Sequence, residues 1–249
     1  MIFRQMFEPV SSTYTYLLGC ADTGEAVLID PVMPTWQRDL DVVNGLGLRL
    51  VMTIDTHIHA DHITSASLLK REVGSRIATP ALDALPCTDV GFEDGVPLQI
   101  GGLRLDPMHT PGHTDNHFAI GAGDRVFTGD ALLIDGCGRT DFQSGDSRAL
   151  YESVRGRLFA LPGDTLVYPA HDYKERRVSS IAQEKQRNPR LGGDRTLEDF
   201  VRLMENLDLP YPKFIDYAVP GNKRCGVCPD DLPEHLREYC SDMAASRQG

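Results

Sequence analysis

Thr56-His57-Ile58-His59-Ala60-Asp61-His62 gathers three imidazoles and a carboxylate into one short stretch, directly after the apolar run Leu48–Ile54. A single histidine is more often a satisfied core or surface residue than a ligand. Four metal-competent side chains crowded together would repel one another or go unpaired on burial. A cation removes that cost, so the cluster reads as a metal site. At a strand end the rings of His57 and His59 point to opposite sides of the chain, and Asp61 and His62 open a helix-like segment. One loop can therefore serve two adjacent metal positions.

Further donors follow at the ends of other strand-like runs. Gly112-His113 comes after Thr110-Pro111, Gly129-Asp130 after Arg125–Thr128, and His171 after Thr165–Ala170. Gly or Pro permits the sharp exit that each delivery needs. Alone, each reads as a turn aspartate or a buried histidine bonded to backbone; in this order, each at a strand end, they read as one ligand set.

The 249 residues, 41% of them hydrophobic, suffice for one large domain with a sizeable core. No apolar run is long enough to span a bilayer, so no membrane partner is expected. Met1–Glu8 has neither the charged segment with a long apolar core of a secretory signal nor a transit-peptide pattern, which points to the cytoplasm. In that compartment the six cysteines read as thiols, not as a disulfide frame. A formal charge of −11 argues against a nucleic-acid partner, which needs a basic face.

Tyr14–Gly19 and Ala26–Asp30 read as paired strands, Thr35–Leu46 as a helix, Leu48–Asp55 as the strand feeding the metal loop, and Asp61–Val73 as a helix. Arg76–Thr79, Pro97–Ile100, Leu103–His109, His117–Gly121 and Arg125–Thr128 supply a second set of strands. Asp146–Phe159, Glu175–Arg187 and Thr196–Leu207 read as outer helices, the second stopped by Asn188-Pro189. Strands in two sets with helices at intervals suit an αββα sandwich better than a doubly wound parallel sheet.

The motifs His57-x-His59-x-Asp61-His62, Gly112-His113, Gly129-Asp130 and His171 resemble those of the metallo-β-lactamase superfamily, over nearly the whole chain. The resemblance implies an αββα sandwich of two mixed β-sheets flanked by helices. It also implies one domain over residues 1–249, with a C-terminal extension over about 196–249. The reaction is not implied, since such folds host many chemistries. Gly136-Cys137-Gly138-Arg139-Thr140-Asp141-Phe142-Gln143, Asp172-Tyr173, Asn188-Pro189-Arg190 and the C-terminal stretches Met204–Pro210, Ile215–Asn222 and Cys225-Gly226 resemble the persulfide dioxygenases. Glyoxalase II enzymes share the metal motifs and a Gly-Cys-Gly-basic segment but differ in the C-terminal portion, which therefore carries the choice.

The family resemblance implies one Fe(II) per chain held by His57, His113 and Asp130, the facial triad of non-haem iron oxygenases. His59, Asp61, His62 and His171 are then supporting groups around the iron. The implied substrates are glutathione persulfide and O2, and the products sulfite and glutathione. A sulfane sulfur near oxidation level zero gives up four electrons on reaching sulfite at +4, which reduces dioxygen fully. No external reductant is needed, in keeping with a chain that lacks a Gly-x-Gly-x-x-Gly dinucleotide signature.

Glutathione carries two carboxylates, so an acidic chain must offer local positive groups. Arg139 and Tyr173 are the expected substrate-binding residues, with Lys223 and Arg224 weaker candidates. The bland alternatives are an Arg139–Asp141 ion pair and a core-packed Tyr173. Cys225-x-x-Cys228 invites a zinc or redox reading, but only His235 and Cys240 lie nearby as further ligands, and Gly226 and Pro229 do not suit a helix start; thiols near a surface turn are expected. Two alternative functions stay open: a glyoxalase II-like hydroxyacylglutathione hydrolase with a dinuclear site, and a noncatalytic metal-binding sensor or scaffold. A homodimer is likewise left open.

Overall fold

The computed structural model describes residues 1–228 and Glu234. Its strands are β1 (Ile2–Glu8), β2 (Thr13–Gly19), β3 (Glu25–Ile29), β4 (Arg49–Ile54), β5 (Arg76–Pro80), β6 (Val90–Phe92), β7 (Leu98–Ile100), β8 (Leu103–His109), β9 (Phe118–Ala122), β10 (Arg125–Gly129), β11 (Leu166–Pro169) and β12 (Ser179–Ser180). The helices are α1 (Trp36–Gly45), α2 (Ala66–Val73), α3 (Ser147–Gly156), α4 (Ile181–Arg187), α5 (Leu197–Glu205) and α6 (Ile215–Asn222).

The strands form two six-stranded sheets, β1-β2-β3-β4-β5-β6 and β12-β11-β10-β9-β8-β7. Both are mixed: β1, β2 and β3 pair antiparallel while β3-β4-β5 are parallel, and β8, β9 and β10 pair antiparallel while β10-β11 are parallel. Parallel pairing needs a crossover, and α1 and α2 supply it for β3-β4-β5. With its flanking helices, this is the expected αββα class.

The chain divides into two compact units. The first comprises Met1–Gly91, Gln99–Leu103 and the described residues from Pro210 onward; the second comprises Phe92–Leu98 and Arg104–Leu209. In the first, Trp36, Leu40 and Val43 recur at helical spacing along α1 and pack with Leu17, Leu28, Leu50, Leu68, Leu69, Phe214 and Tyr217. In the second, Leu150 and Val154 of α3, Ile181 of α4 and Phe200 of α5 pack on Val126 and Val167. Asp146 caps α3 by accepting from the amides of Arg148 and Ala149, and Thr196 caps α5 by accepting from the Asp199 amide.

Two helices start later than the sequence suggests. Residues 61–65 are not helical, because their backbone is engaged elsewhere: the Met33 amide donates to Ile63 O, the Ser65 amide to Pro31 O, and the Thr64 amide to Asn222 Oδ1. Likewise α4 begins at Ile181 instead of Glu175, since Glu175 and Arg177 adopt φ +55° and +68°, which no right-handed helix accommodates. The α6 helix, absent from the sequence reading, carries Pro220 in its last turn.

The reading of all six cysteines as thiols is overturned. Cys87 and Cys225 form a disulfide spanning 138 residues, and Cys228 is also disulfide-bonded. Cys20 and Cys137 are free and buried. The further zinc-ligand candidates His235 and Cys240 lie outside the described residues. Among the described residues no helix is long and apolar enough to cross a membrane.

Candidate metal centre

In the first unit the parallel strands β3 and β4 end side by side and deliver Asp30 and the histidine loop. Asp30 is buried with φ +50°. Its Oδ1 accepts from the Thr56 amide at 2.8 Å and its Oδ2 from the Thr56 hydroxyl at 3.1 Å. With that hydroxyl proton committed, Thr56 Oγ1 accepts from His57 Nδ1–H at 3.0 Å, which leaves the lone pair of His57 on Nε2.

His59 Nε2 donates to Asp30 Oδ1 at 3.0 Å, and its buried Nδ1 has no hydrogen-bond partner. Burial works against a charge on this ring, but Asp30 in contact, with Asp61 and Asp55 beyond, outweighs it and raises the pKa to about 9. A metal ion at Nδ1 would replace that proton. His62 donates from Nδ1 to Asp61 Oδ2 at 2.8 Å, and its buried Nε2 is also without a hydrogen-bond partner. Burial lowers the His62 pKa against the opposing pull of Asp61, so this ring is neutral and keeps its lone pair. Thr13 donates to Asp61 Oδ2 at 3.0 Å and steadies the carboxylate. His59, Asp61 and His62 thus offer ligand atoms within 4.8 Å of one another.

The second unit holds its own donors. β10 ends at Gly129 and delivers Asp130, whose amide donates to His117 Nε2 at 3.0 Å; His117 Nδ1 in turn donates to Thr110 Oγ1 at 2.9 Å. His113 Nδ1 donates to the carbonyl of Arg139 at 2.7 Å, so the lone pair of a singly protonated ring sits on Nε2, only 3.2 Å from Asp130 Oδ2. His171 Nε2 approaches Asp130 Oδ1 to 3.4 Å, and that oxygen accepts no hydrogen bond. A ring lone pair facing a carboxylate oxygen repels it unless a proton or metal ion lies between them. Imidazole nitrogen with carboxylate oxygen is the donor chemistry that suits a non-haem iron.

The Gly136-Cys137-Gly138 turn sets this arrangement by close approach. A Cβ on Gly138 would lie 2.6 Å from Asp130 O and 2.8 Å from His113 Nδ1, so no other residue fits. The Gly138 amide also donates to Asp130 O at 2.7 Å. Cys137, buried between Met204 and Arg190, has its thiol pushed up to about 11 by burial and is a packing residue.

Of the expected substrate contacts, Arg139 makes a two-pronged ion pair with Asp141, Nε at 2.6 Å and Nη2 at 2.7 Å, and lies over the Phe142 ring. Tyr173 is not core-packed: it is 70% exposed and stacks on His171 with ring centroids 5.8 Å apart. Lys223 and Arg224 are exposed just after α6. Asp30, Thr56, His117 and Asn222 are the site-shaping residues that sequence reading missed. Only Asp30, an aspartate at a strand end, carried a local signal.

The chain belongs to the metallo-beta-lactamase superfamily, whose family model matches residues 9–171. Within it the chain is closely related to the ETHE1-like persulfide dioxygenases. It is 49% identical over 230 residues to the mitochondrial persulfide dioxygenase ETHE1 of Homo sapiens, covering 91% of this chain and 89% of that one. The crystal structure of ETHE1 from Myxococcus xanthus superposes with a TM-score of 0.88 at 50% identity, covering 91% of this chain and all of that one. The hydroxyacylglutathione hydrolase of Cereibacter sphaeroides is 32% identical over 184 residues, covering 72% of this chain and 70% of that one.

Proposed function

We propose that this protein is an Fe(II)-dependent persulfide dioxygenase converting glutathione persulfide, dioxygen and water to glutathione and sulfite. The observation that carries this reading is the similarity to the human persulfide dioxygenase over 91% of the chain, well beyond the residues that the superfamily model matches. In this reading His57, His113 and Asp130 hold one iron, and His59, Asp61, His62 and His171 support it. Fe(II), when bound, supplies open coordination positions and the electron exchange that joins the persulfide to dioxygen.

The protein's own part is orientation and charge. Asp30 through Thr56 aims His57, the Arg139 carbonyl aims His113, and His117 holds the backbone of Asp130. Asp61 accepts the Nδ1–H hydrogen bond of His62 and fixes that tautomer, while burial keeps the ring neutral, so a water or substrate nearby meets the Nε2 lone pair. Tyr173 offers its hydroxyl to the peptide portion of glutathione. Arg139 offers its guanidinium to a carboxylate in exchange for Asp141, with Lys223 and Arg224 as weaker contacts. The overall change balances: GSSH + O2 + H2O gives GSH, sulfite and two protons, with the sulfane sulfur losing the four electrons that dioxygen gains.

The His59, Asp61 and His62 cluster favours one second reading, a dinuclear hydrolase of glutathione thioesters. The test is to supply anaerobically purified, iron-loaded protein with glutathione persulfide and, separately, with a hydroxyacylglutathione. Oxygen uptake matched by sulfite, without thioester cleavage, supports the dioxygenase. Thioester cleavage without oxygen uptake contradicts it.

A further inference from the structure

Asn222 lies at the end of α6, about 160 residues from the metal-bearing loop, yet its buried carboxamide is devoted to that loop. Nδ2 donates to the carbonyls of His59 at 2.9 Å and His62 at 2.8 Å, and Oδ1 accepts from the Thr64 amide at 2.9 Å. Three bonds from one side chain thereby fix the backbone on both sides of Asp61.

The turn that follows is seated against the same loop. The Ser67 amide donates to Cys225 O at 3.0 Å. Gly226 has φ +89°, and a Cβ there would lie 2.0 Å from Thr64 O, so the two backbones are in direct contact. Cys225 is buried, also at positive φ, and is bonded to Cys87. That covalent bond anchors the segment carrying Asn222 to the chain beyond β5, in a small core of Ala66, Ile77 and Leu85.

We propose that Asn222 is a positioning residue for the metal-bearing loop, and that the Cys87–Cys225 disulfide puts its hold on the loop under redox control. The effect on turnover rests on the iron-site reading above; the effect on the loop does not. The reductant is a low-molecular-weight thiol. Its sulfur attacks that of Cys87, which is partly exposed where Cys225 is buried. The S–S bond breaks, and its electron pair passes to the Cys225 sulfur, which takes up a proton. A second thiol then attacks the sulfur of the first, the mixed disulfide bond breaks with its electron pair passing to Cys87, and that thiolate takes up a proton. The protein thus gains two electrons and two protons while two small thiols become one disulfide. With the anchor open, the turn around Cys225 is held on Thr64–Ser67 by packing and hydrogen bonds with no covalent link, and Asn222 loses its fixed position.

Amide hydrogen exchange on the metal-free full chain reads this directly, because the Thr64 amide is itself the donor to Asn222. Reduction with a dithiol, checked by alkylation and peptide mass, should speed Thr64 exchange about tenfold and leave the amides of β2 and β3 unchanged. Asn222→Ala should show the fast rate without reductant, and so should the double variant Cys87→Ser, Cys225→Ser, which should no longer respond to the dithiol. Cys228→Ser should keep the response. Affinity for Fe(II), measured by chelator competition, should fall about 10–100-fold in the Asn222→Ala and reduced forms. An unchanged Thr64 rate on reduction overturns the proposal, as does uniform acceleration of every core amide or peptide mapping that finds no Cys87–Cys225 bond. Failure of the dioxygenase reading looks different: no oxygen uptake in any form, with the exchange pattern intact.

Discussion

The Arg139 carbonyl accepts from His113 Nδ1 at 2.7 Å, so the residue whose side chain is a substrate-binding candidate fixes, through its backbone, the ring that faces Asp130. Gly138 lies between these groups, and its missing Cβ allows the approach. Gly138→Ala should therefore lower iron retention about 10–100-fold, as loss of an orienting partner does, while the protein stays folded. Gly136→Ala, whose nearest neighbour is Leu133 Cβ at 3.8 Å, should behave as the parent protein. Iron content after passage over a chelating resin checks both.

Arg139 is held by Asp141, so a substrate-binding role predicts opposite effects for substitutions at the two positions. Arg139→Ala should weaken glutathione persulfide binding by about 1–3 kcal/mol without removing iron. Asp141→Asn releases the guanidinium and should lower KM. If steady-state kinetics below saturation are unchanged in both, Arg139 serves only its ion pair.

Protonated His59 stabilises the metal-free fold through Asp30. Its folded-state pKa of about 9 lies above the usual 6.5, so the contribution is complete below pH 6.5 and is lost as pH rises through 9. Urea midpoints of the metal-free protein should fall between pH 7 and 10. His59→Gln should flatten that dependence; the same slope in the variant would assign it to another group.

His62 tests the supporting groups. His62→Ala should lower activity or iron affinity by about 10–100-fold while the protein still binds one iron. Halved metal content in the variant would make His62 a ligand of a second ion.

Most of the scaffold was legible because strands such as β2, β4 and β10 and the Trp36, Leu40, Val43 face of α1 encode burial in local spacing. The donors at strand ends were legible for the same reason. What escaped is non-local. The late start of α2 depends on Met33 and Asn222, and the pairing of Cys87 with Cys225 joins residues that no local pattern links. The orienting groups Thr56, His117 and Asn222 are ordinary in sequence and become specific only beside their partners. Tyr173 is polar at one end and apolar at the other, so composition alone could not decide between core and surface.

The most direct measurement is activity against equivalents of Fe(II) added anaerobically to the metal-free protein, with oxygen uptake and sulfite followed together. One equivalent should give full activity with one O2 consumed per sulfite, and His57→Ala, His113→Ala and Asp130→Ala should each abolish both iron retention and turnover. Activity that rises only after a second equivalent, or two tightly held zinc ions with thioester cleavage and no oxygen uptake, would contradict a single-iron dioxygenase.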